Sequence, residues 1–100
     1  MIPMIQPTND INGTCLQGYL TIKYSEIVEV LGKPQTTDEG DKVTAEWSFK
    51  AYDGMVFTIY DYKTYGTPKG VYAWHIGGLN KNVLPMVQAL FPNYLVNGGR

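Results

Sequence analysis

The sequence predicts an α+β domain: a mostly antiparallel sheet of three to five strands with two helices on one face, in the order β-α-β-β-β-α. Three observations carry this expectation. Residues 43–51 alternate apolar and polar side chains, the period of a strand with one buried face. Segments 24–31 and 83–91 place apolar side chains at helical spacing. Short runs rich in glycine and proline separate the elements, with no repeat, low-complexity tract or linker between them.

Taken in order, Met1-Ile2-Pro3-Met4-Ile5 is apolar but short, lacks a basic lead and is broken by Pro3. It therefore reads as neither signal peptide nor membrane span. Residues 1–12 are expected to be an N-terminal arm that packs on its own domain or a neighbour, and residues 13–100 a single domain. From Gly13 to Ile22, β-formers are interrupted by Gly18, which suggests a short or bulged first strand. Tyr24, Ile27, Val28 and Leu31 then define an amphipathic helix, with Gly32 and Pro34 as stop signals and Lys23 in place of a favoured cap. Residues Gln35 to Asp41 read as a mobile loop.

The clearest strand carries Val43, Ala45, Trp47, Phe49 and Ala51 on one face. Its register with the next strand follows from the turn. A two-residue loop at Asp53-Gly54 would set Trp47 and Phe49 on the side of Tyr60 and Thr58. A three-residue loop, Tyr52-Asp53-Gly54, instead pairs Ala51 with Met55, Phe49 with Phe57 and Trp47 with Ile59. It turns Thr58, Tyr60 and Tyr62 to the other face, beside Ser48 and Glu46. After the turn-rich residues 65–70, Val71 to Ile76 form a further strand that Gly77-Gly78 ends. A last helix carries Val83, Met86, Val87, Leu90 and Phe91 on one stripe, with Asn82 as cap and Pro85 in the tolerant first turn. Tyr94, Leu95 and Val96 beyond Pro92 dock or pair.

Composition bounds the chemistry. With 44% hydrophobic and 17% charged residues, 100 residues can bury one core. A formal charge of −1 and only 8 Lys and Arg supply no basic stripe, so no nucleic-acid partner is expected. No membrane partner is expected either. The lone Cys15 cannot form an internal disulfide or a multi-thiolate site, which makes cytoplasm the default compartment. His75 is the one histidine, so a two-histidine metal site cannot come from a single chain, and no metal or cofactor is expected.

The motif string Gly13-Thr14-x-Leu16-Gln17-Gly18-Tyr19, Leu31-Gly32-x-Pro34, Lys42-Val43-x-Ala45-Glu46-Trp47, Thr58-Ile59-Tyr60-Asp61-Tyr62-Lys63 and Trp74-His75-Ile76-Gly77-Gly78 resembles small uncharacterised proteins of bacteriophage and prophage genomes. The resemblance spans roughly residues 13 to 91 and implies expression inside a bacterial host, but no activity. Cys15 and Lys23 stand where that pattern has small hydroxyl residues. The helix ending in Leu31-Gly32-Lys33-Pro34 before an acidic loop and a Trp-bearing strand is more faintly similar to domains of the beta-lactamase-inhibitor-protein type, which are binding modules.

No catalytic residue is advertised. His75 reads as structural beside Trp74 and Ile76, and Cys15 as a small apolar residue. An enzymatic reading would need His75 to meet Cys15, Asp61 or Glu46 in a cleft. The acidic set Asp38, Glu39 and Asp41 lacks the spacing of a calcium loop. The anomaly is aromatic: eight tyrosines in 100 residues, with Tyr60, Tyr62, Tyr65 and Tyr72 around one edge and loop, joined by Trp74 and His75. Tyrosine offers large contact area at low entropy cost. The leading expectation is therefore a non-enzymatic accessory protein that binds a host protein, or its own copy as a homo-oligomer, through a Tyr-rich sheet face or edge. The alternative is a protein that sequesters a nucleotide or other small anionic ligand, with Gly77, Gly78 and Lys81 offering backbone N–H groups and charge beside stacking aromatics.

Overall fold

The computed structural model describes residues 5–35, 43–51, 53–64 and 66–98. Its six strands are β1 (Ile5–Pro7), β2 (Cys15–Lys23), β3 (Glu46–Ala51), β4 (Val56–Tyr60), β5 (Val71–Gly78) and β6 (Leu95–Asn97); its helices are α1 (Tyr24–Leu31) and α2 (Val83–Leu90). They form one antiparallel sheet in the order β1-β3-β4-β5-β2-β6. The α+β class holds, but the sheet exceeds the expected three to five strands. The two additions are its edges. Ile5–Pro7, placed by sequence in the N-terminal arm, pair with Phe49–Ala51, and Leu95–Asn97 pair with Tyr19–Thr21. Strands of three residues carry too little alternation to be read as strands.

Hydrophobic pattern sets the central register. Trp47 faces Ile59 and Phe49 faces Phe57, and the Ala51 amide donates to the Met55 carbonyl at 2.8 Å. Gly54 holds φ 90°, the left-handed position that the turn requires; Tyr52 of this turn lies outside the described residues. Leu20, Ile22, Trp47, Phe57, Ile59, Trp74 and Ile76 fill one face and are almost fully buried. Both helices cover that face. Tyr24 of α1 lies against Trp47 and Trp74, whose rings meet edge to face at 5.4 Å. Val83 of α2 occupies the space a Cβ would need at Gly78, and Leu84 lies over Gly18. Each indole is satisfied: Trp47 Nε1 donates to the Gly32 carbonyl and Trp74 Nε1 to the Ile22 carbonyl.

The local signals hold in part. Gly32, φ 83°, ends α1 with its amide on the Val28 carbonyl at 2.8 Å, and the Glu26 carboxylate accepts from the Lys23 amide at the start. The irregularity expected near Gly18 falls between Leu16 and Gly18. Asn82 precedes α2 without a side-chain cap; instead the Asn80 side chain accepts from the Asn82 amide. The expected loop over residues 35–41 lies outside the described residues beyond Gln35. Gln35 itself is tied to β3, exchanging hydrogen bonds with the Ser48 backbone and donating its amide to the Glu46 carbonyl.

Pro7 and Cys15 lie in one transverse row, Pro7–Phe49–Phe57–Gly78–Cys15, at opposite sides of three strands. Residues 8–14 must bridge four strand spacings, about 19 Å, and they do so through a turn in which the Thr14 amide donates to the Ile11 carbonyl at 3.2 Å. Ser48, Val56 and Thr58 point away from the helices yet are buried, which places this crossing over the helix-free face.

Candidate functional site

Beyond that crossing, the helix-free face is open. Alternation on β2, β4 and β5 lines up one cross-strand row, Glu46–Tyr60–His75–Tyr19–Asn97. Thr21, Ala73 and Leu95 form the next row. The His75 ring is the hub: its centroid lies 5.0 Å from Tyr19, 5.2 Å from Tyr60 in a stacked arrangement, 5.8 Å from Tyr62 and 6.4 Å from Tyr72. Tyr62 is 41% exposed, and Tyr19, Tyr60, Tyr72 and His75 are half-buried. Three tyrosines, Tyr19, Tyr60 and Tyr62, thus present ring area on this face around one imidazole, while Tyr72, paired with Ile22, lies on the helix side against Trp74.

The electrostatics of this face favour neutral groups. Burial pulls the His75 pKa below its ordinary value, against the opposing pull of the Asp61 carboxylate and the Tyr60 backbone, and so favours the neutral ring. Its Nδ1 is buried with no hydrogen-bond partner among the described residues. Burial pushes the Glu46 carboxyl up, and burial followed by the Glu46 charge pushes the Tyr60 phenol up. Tyr72 is also raised, chiefly by burial; its hydroxyl accepts from the Tyr62 amide.

One buried carboxylate holds the loop that carries Tyr62. Asp61 is fully buried and accepts from the Thr44 and Ala45 amides at 2.8 and 3.0 Å and from the hydroxyls of Thr44 and Thr64. Thr44 in turn meets Thr67 at 2.8 Å. Burial pushes the Asp61 pKa up, but these donors outweigh it and hold the group below its ordinary value. Lys63, one of the residues flanking Tyr62, adopts φ 57° and sets its ammonium 5.3 Å from the Tyr62 ring centroid.

The residues singled out from sequence divide cleanly. Tyr60, Tyr62 and His75 come together on this face, whereas Trp74 points to the opposite face, fully buried in the core, with Tyr72 packed edge to face against it and its ring 6.4 Å from His75. Tyr65 lies outside the described residues. Gly77 and Gly78 do not form a strand-to-helix turn; both belong to β5 and are paired on both sides. A Cβ at Gly77 would strike the Thr58 hydroxyl, so the close approach of β4 and β5 requires glycine here. The Lys81 ammonium is spent on the Gln17 and Gly98 carbonyls. A shallow cavity of about 270 Å³ lies beside the β3–β4 turn, lined by Asp53, Met55, Val56, Leu79, Asn80 and Val83. It contains none of the residues expected to hold an anion, and its Asp53 and Asn80 side chains accept from nearby backbone amides.

Among the described residues, no carboxylate or thiol hydrogen-bonds to His75 Nδ1. Asp61 is occupied by threonines and amides, and the exposed Cys15 takes a contact from the Gln17 amide at 3.4 Å. Among the described residues no three His, Cys, Asp or Glu side chains converge on a metal position, and no helix is long and apolar enough to cross a membrane. Sequence reasoning missed Tyr19 and the Asp61 anchor. Tyr19 was visible as the residue alternating with Leu20 and Ile22; the anchor's only sequence trace is the set of threonines at 44, 64 and 67. Comparison of the chain with family models, curated proteins and solved structures finds no match.

Proposed function

We propose that the protein is a non-enzymatic interaction module that binds another protein chain through its helix-free, tyrosine-rich sheet face. The observation that supports this reading is the cluster of Tyr19, Tyr60 and Tyr62 around His75, partly exposed on a face that no helix covers. Contiguous aromatic surface of this kind is costly in water and common at the centre of interfaces. The face is favoured over the edges. β1 and β6 are three residues each, and Pro7 removes a donor from β1, so neither edge offers a long template for strand addition. The motif resemblance supplies the setting of this proposal: a phage-borne accessory factor in a bacterial cytoplasm.

Replacing Tyr62 with Arg tests the reading, because its side chain is exposed and its loss leaves the core intact. Association measured by sedimentation velocity and by capture from host lysate should fall at least tenfold with an unchanged circular dichroism spectrum. Unchanged association in both assays refutes the proposal.

A further inference from the structure

Resting on the interaction reading above, we infer that the partner chain presents an acidic segment, whose carboxylates meet Lys23, Lys63 and Lys69 while its apolar side chains seat on the open half of the helix-free face. The fold gathers these three lysines at one end of the sheet. Lys23 ends β2 opposite Val71, the first residue of β5, and Lys69 precedes Val71 by two residues. The Lys69 ammonium lies 3.9 Å from the ring centroid of Tyr24, the residue that follows Lys23. Lys63 follows Tyr62, whose amide donates to the hydroxyl of Tyr72, the next residue after Val71.

All three lysines are exposed, and none forms an ion pair among the described residues. The neighbouring carboxylates are committed elsewhere. Glu26 accepts from the Lys23 amide and the Tyr94 hydroxyl, and Asp61 is fully buried among its own donors. Glu46 stands apart on β3, beyond Tyr60, where burial opposes its ionisation. Like charges without counter-charges at one end of a face attract an anionic partner and repel a cationic one. The same face of a second copy would set lysine against lysine.

An apolar surface adjoins this charge. Strand alternation places Val71, Ala73, Thr21 and Leu95 on the side of Lys23, with Val71 and Leu95 66% and 60% exposed. The crossing of residues 8–14 occupies the other half of the face, so the open half admits a single segment beside it and not a second sheet. The ring faces favour a carboxylate-bearing chain over a single-stranded nucleic acid. Tyr60 is stacked on His75, and ammonium groups lie beside the rings of Tyr62 and Tyr24, so stacking bases would have to displace contacts already made.

The test selects random peptides displayed on yeast for binding to the purified full chain, and measures the enriched peptides by fluorescence anisotropy. The expected sequences carry Asp and Glu beside Leu, Phe or Trp, and their binding weakens as salt rises. Lys23→Glu, Lys63→Glu and Lys69→Glu combined should weaken binding by about tenfold or more with an unchanged circular dichroism spectrum. The corresponding triple change to Gln, which adds no charge, should give a smaller loss and decides the matter if the Glu variant misfolds. Lys33→Glu, just beyond α1, should leave binding unchanged; an equal loss there overturns the proposal. Enriched peptides without acidic residues, lost in Tyr62→Arg, overturn the acidic partner while leaving the face as a protein interface. Acidic peptides that bind the triple variants unchanged overturn it as well. Oligothymidylate binding that the triple variants abolish, with no peptide enriched, overturns it in favour of a nucleic acid. Absence of any ligand overturns both readings.

Discussion

Asp61 shows how a single buried charge can be structural. Its four donors hold the carboxylate ionised, and removing that charge leaves amides at 44 and 45 facing a poorer acceptor. Asp61→Asn is expected to cost about 1–3 kcal/mol in urea unfolding. Because the folded pKa lies below the unfolded one, the stabilisation is present above the unfolded carboxyl range, near 4, and is lost as pH falls through the lower folded value. His75 acts at higher pH. Its folded pKa is also depressed, but for a base this means that the unfolded chain binds the extra proton, so stability falls as pH drops below about 6.5. His75→Phe should abolish that step in the unfolding midpoint and leave the acidic one. A midpoint that is flat from pH 7 to 5 in the unmodified protein would contradict this assignment.

Elements were legible where side chains alternate over enough residues to fix a face. The β3–β4 register followed from Trp47, Phe49, Phe57 and Ile59, since any one-residue slip would turn them to solvent. Both helices followed from their stripes. β1 and β6 were illegible because three residues hold no period, and the end of β5 was misread because Gly77-Gly78 looks like a turn. Their pairing rests on close approach, which sequence does not display: Thr58 lies over Gly77 and Val83 over Gly78. Gly78→Ala should therefore lower the urea midpoint markedly. Gly70→Ala, which meets open space without a left-handed φ, should change stability by less than about 0.5 kcal/mol. Equal effects would show that α2 yields around position 78.

The molecule as a whole divides its aromatic residues between two tasks. Trp47, Trp74, Phe49 and Phe57 build the helix-covered core, while Tyr19, Tyr60, Tyr62 and His75 lie on the other side of the same strands. The excess of tyrosine announced a surface cluster, and strand alternation assigned Tyr60 and Tyr62 to it. Trp74 was misplaced because its strand neighbour His75 belongs to the cluster, and period two sends Trp74, together with Tyr72, to the other face. If the face is an interface, tyrosine fluorescence polarisation and sedimentation should report the same concentration dependence. Tyr60→Ala and Tyr62→Arg should each move both, whereas Val30→Arg on the outer side of α1 should move neither.

The crossing from β1 to β2 behaves as a strap of fixed length. Its residues 8–14 give an extended reach of about 27 Å against a span of about 19 Å, and the turn closed by the Thr14 amide on the Ile11 carbonyl takes up the slack. Deleting Asp10–Asn12 shortens the reach to about 17 Å, so β1 can no longer sit beside β3 in its own chain. It remains free to pair with β3 of another, and the expected product is an exchanged-strand dimer or higher ladder. Amide hydrogen exchange would mark the change, because the Thr8 amide, bonded to the Ser48 carbonyl, would lose its protection while the β2–β5 amides kept theirs.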